Sequence, residues 1–130
     1  MLQIPEMQPS IILFAHGARD ERWAEPFRLI AERVREAAPD LVVELAFLEH
    51  LPPDLSEAAR RVVAKGATVI RVVPLFFGRG GHLRVDVPRL VAAVEAGLPG
   101  IAIELALPAG EDGAVIDAIA AFCVRAARKA

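Results

Sequence analysis

The sequence of 130 residues contains no tyrosine, one cysteine and only 5% aromatic residues. A single cysteine excludes an internal disulfide and any metal site built from several thiolates. Because aromatic residues are scarce, aliphatic side chains must fill the interior. The apolar fraction of 55% is large enough for this and argues against a disordered chain.

The chain also lacks a basic excess, a long apolar run and a recognisable leader. Fifteen Lys and Arg residues stand against seventeen Asp and Glu residues, whereas nucleic-acid-binding domains usually carry a clear positive balance. No apolar run approaches the roughly 18–20 residues of a membrane span. Residues 1–9 contain two prolines and no basic residue, so we expect no signal peptide and a cytoplasmic location.

The length is that of one domain, and we assign residues 1–9 to an N-terminal tail and residues 10–130 to a single α/β domain. The apolar, β-branched segments predict four strands: Ser10–Ala15, Leu41–Leu48, Thr68–Val73 and Ile101–Leu107. The first is uncharged and mostly apolar, as is typical of a central parallel strand buried on both faces. Glu44 places the second strand nearer an edge.

Two helices are predicted in the first half of the chain. The first has one apolar stripe, at spacings of four, three and four, formed by Trp23, Phe27, Ile30 and Val34. The second begins at Asp54, which has the position of an N-cap, and ends before Gly66.

Two more helices follow in the second half. The third is expected to be capped by Asp86 and to end at Gly97. The last spans Val115–Arg128, and its inner side is expected to carry Ile116, Ile119, Ala120 and Cys123. Cys123 is therefore interpreted as a small core residue.

Strands that alternate with helices predict a four-stranded, mostly parallel sheet with helices on both faces, in flavodoxin-like layering. In such a sheet the carboxyl ends of all strands open on one edge. That edge should gather the polar residues that follow the strands, namely His16, Glu49, His50, His82 and the loop 108–112.

His16 and His82 follow two different strands and are candidates for a divalent-metal pair. Imidazole binds first-row metals well, and a carboxylate such as Glu49 is a common further ligand. The alternative is that both histidines are loop residues bonded to backbone. His50 is a weaker candidate, since it is equally compatible with a solvated position before Pro52.

Four arginines lie near the two histidines in the sequence, namely Arg19, Arg22, Arg79 and Arg84, although the whole chain is slightly acidic. A locally positive surface around the histidines indicates an anionic small ligand, and arginine forms bidentate pairs with carboxylates. The alternative is that these are ordinary loop charges.

The glycine-rich loop around Arg79 contains Gly78, Gly80 and Gly81. It lacks the Lys-Ser/Thr of a P-loop and does not follow the first strand, as a dinucleotide-binding loop would. Its simpler use is to let a flat ligand approach the backbone closely. The preceding Phe76 and Phe77 are candidates for lining a cavity, with at least one of them packed in the core.

Several blocks, each at a strand end, resemble the small sirohydrochlorin chelatases. The first, residues 16–20, reads His-Gly-Ala-Arg-Asp, similar to the family's His-Gly-Ser-Arg-Asp. The others are Phe47-Leu48-Glu49, Pro74-Leu75-Phe76-Phe77, Gly81-His82, Asp86-Val87-Pro88 and, more loosely, Pro108-Ala109-Gly110-Glu111.

The resemblance implies a lyase that inserts cobalt, or in related members iron or nickel, into the tetrapyrrole sirohydrochlorin during cobalamin or sirohaem biosynthesis. It implies that His16 and His82 are catalytic and bind the metal, that one of them also accepts the pyrrole protons, and that Glu49 is the catalytic carboxylate of the site. The metal is then a substrate, Co²⁺ or Fe²⁺, with no retained cofactor. Short members of this family pair as homodimers and resemble half of the longer chelatases.

The arginine-rich surroundings suit the many carboxylates of sirohydrochlorin. Residues expected to bind this substrate are Arg19, Arg79, Gly80, Gly81 and Arg84.

The chain departs from the family pattern in two places. Ala18 replaces the commoner serine, and Asp112 stands near a position where many members carry histidine. The absence of a histidine-rich loop disfavours nickel. Two other readings remain open: a non-catalytic carrier of metal or tetrapyrrole, and a histidine-phosphatase-like enzyme, although such enzymes need arginine where this chain has Ala15.

Overall fold

The computed structural model describes residues 9–78, 80 and 83–129. Its strands form one parallel sheet in the order β2-β1-β3-β4. Their bounds are Ser10–Ala15 for β1, Val42–Phe47 for β2, Val69–Pro74 for β3 and Ala102–Leu105 for β4. The predicted α/β class is confirmed, as are the central position of β1 and the edge position of β2.

In the described part of the chain, three α-helices and one 3-10 helix lie between the strands, and a second 3-10 helix and a fourth α-helix follow β4. The α-helices are α1 (Glu25–Ala37), α2 (Leu55–Ala64), α3 (Leu83–Ala96) and α4 (Gly113–Arg128). The 3-10 helices span Glu21–Ala24 and Ala109–Glu111. As predicted, Asp54 caps α2, because its carboxylate accepts a hydrogen bond of 2.8 Å from the Glu57 N–H. No helix among these described segments is both long and apolar enough to cross a membrane.

Two helices, α2 and α3, cover one face of the sheet, which we call the α2–α3 face. Alternate residues of β1 and β3 point to this face, among them Ile12, Phe14 and Ile70, and all three are fully buried. They form the larger core cluster together with apolar residues of α2 and α3 such as Val62 and Val91.

The opposite face, which we call the α1 face, is covered mainly over β1 and β2. There, Leu13 and Val43 pack with Ala31 of α1 in a smaller cluster. The register places Arg71 of β3 and Glu104 of β4 on this same face. Their side chains form an exposed ion pair with an N–O distance of 2.9 Å, so the β3–β4 half of the α1 face is open to solvent.

The apolar stripe predicted for the first helix is only partly correct. Trp23 is 67% exposed and Ile30 is 40% exposed, whereas the buried residue of α1 is Ala31. Trp23 lies in the preceding 3-10 helix. Its side chain therefore does not follow the 3.6-residue period from which the stripe was inferred.

The predicted inner side of the last helix is wrong. No residue of α4 is buried, and Ile116, Ile119 and Cys123 are exposed. The physical reason is the direction of the helix: α4 packs chiefly against the second 3-10 helix and does not return over the sheet. Cys123 is therefore not a core residue.

The predicted cap of the third helix is also displaced. Because α3 begins at Leu83, Asp86 lies inside its first turn rather than before it. Asp86 therefore cannot be the N-cap, although a carboxylate in the first turn still interacts favourably with the helix dipole.

Candidate functional site

The site begins where β1 and β2 end. The two backbones stay paired beyond the strands, because the Leu48 N–H donates to the Ala15 carbonyl at 2.8 Å and the Glu49 N–H donates to the His16 carbonyl at 3.1 Å. This pairing brings the next two side chains together, with His16 Nε2 3.1 Å from Glu49 Oε1. The predicted meeting of His16 and Glu49 is observed.

Gly17 is required by the same close approach. Its φ of 90° lies in the left-handed region, where residues other than glycine are strained. A Cβ atom at this position would also overlap the Glu49 carbonyl oxygen. The His16-Gly17 pair thus allows the backbone that carries the histidine to lie against the backbone that carries the carboxylate.

His50 joins this site, a placement that the sequence left open. Its Nε2 is 3.7 Å from Glu49 Oε1, the same oxygen that contacts His16. The backbone of His50 has a φ of 70°, and it is this left-handed conformation that a pattern of residue types does not reveal. Glu49 consequently lies between two imidazoles.

Phe76 forms an aromatic wall beside His16. The two ring centroids are 6.0 Å apart in an edge-on arrangement, and Phe76 also contacts the buried Phe14 at 5.9 Å. Phe76 packs against the core of the α2–α3 face, whereas Phe77 is 72% exposed. The expectation that at least one of these two phenylalanines packs in the core is confirmed.

Two cavities adjoin these residues. One, of about 340 Å³, lies on the His16 side and is lined by His16, Gly17, Ala18, Trp23, Ala24, Phe27, Phe47 and Leu51. The other, of about 150 Å³, is lined by Pro74, Phe76, Leu83, Arg84, Val87, Pro88, Leu105, Ala106, Leu107 and Pro108. Most lining residues are apolar, which suits a flat, largely apolar ligand.

The arginines differ in how far they are already engaged. Arg22 forms a bidentate pair with Asp20, with a shortest distance of 2.7 Å. These side-chain hydrogen bonds lower the pKa of Asp20 and raise the pKa of Arg22. Arg84 lines the smaller cavity. Within the ranges that the structure covers, neither Arg19 nor Arg84 forms a hydrogen bond or an ion pair.

The fourth loop is tied to the end of the third strand through Gly110, a position that sequence reasoning did not single out. The Gly110 N–H donates to the Phe76 carbonyl at 2.9 Å, and a Cβ on Gly110 would overlap the Phe77 backbone. The loose family resemblance of the Pro108-Ala109-Gly110 segment was the feature of the sequence that could have indicated the importance of Gly110. Asp112, by contrast, caps α4 by accepting hydrogen bonds from the Ala114 and Val115 N–H groups.

Three of the predicted site residues, Arg79, Gly81 and His82, lie outside the described residues, so the proposed pair of His16 and His82 stays a prediction. Gly80 is described and exposed. Among described residues, no group of three or more His, Cys, Asp or Glu side chains is arranged to hold a metal ion.

The arrangement places an imidazole, which can bind a metal ion, beside a carboxylate, which can accept a proton. An imidazole nitrogen is a good ligand for first-row divalent ions, and an adjacent carboxylate either completes the ligand set or accepts protons. One apolar cavity is lined by His16 and another by Phe76 and Arg84, and such surroundings favour a large, flat and anionic substrate.

Sequence comparison gives one family. Residues 10–125 match the model of the CbiX family. A sirohydrochlorin cobaltochelatase of Saccharolobus solfataricus is 41% identical over 81 residues, which are 62% of this chain and 62% of that relative.

Solved structures give the same result. A CbiX protein from Marinobacter aquaeolei, described as a putative cobalamin biosynthesis protein, has a TM-score of 0.82 and 35% identity, over 93% of this chain and 98% of that one. The sirohydrochlorin chelatase SirB of Bacillus subtilis, solved in complex with cobalt, has a TM-score of 0.77 and 29% identity. That match covers 88% of this chain but 49% of SirB, so this chain spans about half of SirB's length.

Proposed function

We propose that this chain, which belongs to the CbiX family, inserts a divalent metal ion into sirohydrochlorin. The favoured metal is Co²⁺. The single observation that carries the proposal is the His16–Glu49 contact of 3.1 Å at the carboxyl edge of the sheet, beside two apolar cavities. The name of the S. solfataricus relative and the cobalt in the SirB structure support cobalt as the metal.

In this proposal His16 and His82 bind the incoming metal ion. The His16 side chain is 53% exposed, which leaves its nitrogen accessible to an ion from solvent. Neutral imidazoles replace part of the hydration shell of the ion without adding negative charge, so the ion remains free to pass on to the tetrapyrrole. The metal is a substrate of the reaction, and the proposal includes no resident cofactor.

Glu49 then serves as the proton acceptor of the site. Insertion of a divalent ion into the ring releases two protons from pyrrole nitrogens, and these must leave the cavity. A metal-bound nitrogen of His16 cannot accept a proton at the same time. A carboxylate in contact with that imidazole gives the protons a separate acceptor, and because the Glu49 side chain is 50% exposed, it accepts the two protons one after the other and releases each to solvent.

The tetrapyrrole is assigned to the apolar space beside Phe76, with its carboxylates directed to Arg19, Arg79 and Arg84. Support comes from Arg84, which lines the smaller cavity, and from Arg19, which follows the lining residue Ala18 of the larger one. Gly80 and Gly81 are assigned to close backbone approach of the ring.

The test is an insertion assay with purified sirohydrochlorin and Co²⁺, followed by the change in absorbance above the spontaneous rate. The wild-type protein should accelerate insertion, and His16→Ala should lose most of this acceleration while keeping its circular dichroism spectrum. Parallel assays with Fe²⁺ and Ni²⁺ rank the metals. Binding of sirohydrochlorin without any metallated product would favour a carrier and contradict the proposal.

A matched pair of arginine variants tests the substrate assignment. Arg84 and Arg89 are both exposed on α3, but of these two only Arg84 lines the cavity. Arg84→Ala should raise the KM for sirohydrochlorin severalfold with a smaller effect on kcat, and Arg89→Ala should leave both constants near the wild-type values. Equal effects of the two substitutions would refute the assignment.

We also propose that residues 10–130 act as a single domain, that two copies of the chain form a homodimer, and that the protein works in the cytoplasm. The match to about half of SirB supports the pairing, because two copies together supply a comparable number of residues.

A further inference from the structure

Trp23 combines high exposure with a position beside the candidate site. It is the only tryptophan of the chain, and it is 67% exposed. It lies in the 3-10 helix Glu21–Ala24, which follows the loop after His16. A single exposed apolar residue needs no explanation, but Trp23 also lines the cavity of about 340 Å³ beside His16. An exposed aromatic side chain in a concave site of this kind indicates contact with a ligand.

The backbone of Trp23 is held in place although its side chain is exposed. The Trp23 N–H donates to the Asp20 carbonyl at 3.1 Å, and the Asp20 carboxylate accepts a hydrogen bond of 3.0 Å from the Arg22 N–H. The next residue, Ala24, is fully buried. The indole is thus presented from a fixed backbone, so that little conformational freedom is lost when a ligand binds.

The cavity beside Trp23 has an apolar floor and apolar walls. Phe47 is buried, and Phe27 and Leu51 pack against the same core cluster. Among the described residues that line the cavity, the polar side-chain groups are the His16 imidazole and the indole N–H of Trp23. The cavity therefore offers apolar surface and no fixed positive charge.

Such a cavity disfavours carboxylates, because an ionised carboxylate that leaves water needs a charged or hydrogen-bonding partner. Arg19 and Arg84, which are assigned to the carboxylates of the substrate, are not among the described residues that line it. Arg84 lines the smaller cavity instead. We therefore expect an uncharged part of the ligand to enter the cavity beside His16.

Sirohydrochlorin has one part of this kind. Acetate and propionate groups surround the macrocycle, and the methyl groups on its two reduced rings are its only peripheral substituents without charge. A volume of about 340 Å³ is at the low end of the range for ligand pockets, so the cavity suits one ring of the tetrapyrrole rather than the whole. The Phe76 ring is 6.0 Å from that of His16, close enough for one macrocycle to reach both.

We propose that the cavity beside His16 receives a methyl-bearing reduced ring of sirohydrochlorin and that Trp23 determines specificity for this ring. The indole contacts the ring, and Phe27 and Leu51 contact the methyl group. The other rings, with their carboxylates, lie toward Arg84. The inference rests on the proposed function and adds to it the orientation of the substrate.

A comparison of two ligands tests the inference. Uroporphyrin III carries acetate and propionate groups like those of sirohydrochlorin but no methyl groups. Equilibrium dialysis without metal, measured by tetrapyrrole absorbance, gives the Kd of each ligand. The wild-type protein should bind sirohydrochlorin at least about tenfold more tightly, since an apolar pocket discriminates by this factor for one methylene.

The ratio of the two Kd values is the readout for the variants, because damage to folding or assembly weakens both ligands alike. Trp23→Ala should raise the Kd for sirohydrochlorin severalfold with a smaller effect on uroporphyrin III, so the preference falls. Trp23→Phe keeps an aromatic face and should retain most of the preference. Leu51→Ala, which shortens a second wall of the cavity, should reduce it.

Phe122→Ala is the matched control. Phe122 is 60% exposed, against 67% for Trp23, but it lies on α4 and lines neither of the two cavities. Its replacement should leave the ratio of the two Kd values at the wild-type level. In the insertion assay, Trp23→Ala should raise the KM for sirohydrochlorin with a smaller effect on kcat, because Trp23 contacts the substrate away from the reacting atoms.

Three results would overturn the inference. The first is a wild-type protein that binds both ligands equally. The second is an equal loss of both affinities in Trp23→Ala, which would mean that Trp23 supports the structure or contacts a second copy of the chain. The third is an equal fall of the ratio in Phe122→Ala.

These results are distinguishable from a failure of the proposed function. Insertion of Co²⁺ by a protein whose ratio does not depend on Trp23 would leave the function intact and remove the inference. A preference that depends on Trp23, without any metallated product, would remove the insertion activity alone. No binding of sirohydrochlorin at all would overturn both.

Discussion

At the scale of single residues, the site depends on one carboxylate and on the glycine that makes room for it. Glu49 Oε1 lies 3.1 Å from His16 Nε2 and 3.7 Å from His50 Nε2. The residue types were readable from the sequence, since His16 and Glu49 each follow a strand and the topology brings those ends together. The approach of His50 was not readable, because it depends on a left-handed backbone conformation that residue type alone does not specify.

Replacing Glu49 with glutamine tests its role as a proton acceptor. Glu49→Gln keeps the shape of the side chain but removes its charge and most of its basicity, so metal insertion should fall by at least about tenfold, a modest part of what proton transfer contributes to enzymes. The control is Glu57→Gln, whose carboxylate on α2 is 49% exposed against 50% for Glu49. Insertion rates that fall equally in both variants, or in neither, would contradict this role.

A pair of glycine substitutions separates backbone strain from steric overlap. Gly17 and Gly66 both have positive φ, 90° and 98°, but only Gly17 has an atom, the Glu49 carbonyl oxygen, in the way of a Cβ. Gly66→Ala should reduce the free energy of unfolding by about 1 kcal/mol through strain. Gly17→Ala should reduce it by about 1–3 kcal/mol more, because overpacking adds to the strain. Urea denaturation measures both, and equal losses would show that the Gly17 backbone relaxes without cost.

At the scale of secondary-structure elements, strands were easier to predict than the packing of helices. The observed bounds of β1 agree with the predicted Ser10–Ala15, because a central parallel strand must be apolar on both faces and leaves a continuous signal. The stripe on α4 was read correctly as apolar, but a stripe has the same pattern whether it packs on its own sheet or on another chain. The prediction that Trp23 belongs to the apolar stripe of the first helix was wrong for a different reason, since a 3-10 helix changes the residue spacing on which that prediction relied.

The cap of α4 provides a test at this scale. Asp112→Ala removes the acceptor for the Ala114 and Val115 N–H groups and should lower the free energy of unfolding by about 1 kcal/mol, while Asp112→Asn should retain most of it. Thermal unfolding followed by circular dichroism at 222 nm gives the comparison. If the alanine and asparagine variants are equally stable, the cap contributes nothing measurable.

At the scale of the whole molecule, the coverage of the sheet is uneven. The α2–α3 face has a continuous core, whereas the α1 face carries an exposed Arg71–Glu104 ion pair over β3 and β4. Pairs of this kind on a surface contribute little to stability. The stability of this half of the sheet should therefore depend on what covers it.

If a second copy covers it, thermal stability depends on protein concentration. Association with a partner stabilises the folded chain by mass action, so the Tm should rise as the concentration is raised a hundredfold. In Ile119→Glu, which places a charge among the exposed apolar side chains of α4, the Tm should be lower and independent of concentration. A wild-type Tm that stays constant over this range would contradict the pairing.

The contact between Gly110 and the Phe77 backbone has a consequence for how the protein can change. It holds the segment before α4 against the backbone of Phe76 and Phe77. A shift of α4 would therefore also move Phe76, only a few residues away from the contact. A substitution at the start of α4 should therefore also alter the position of Phe76 beside His16.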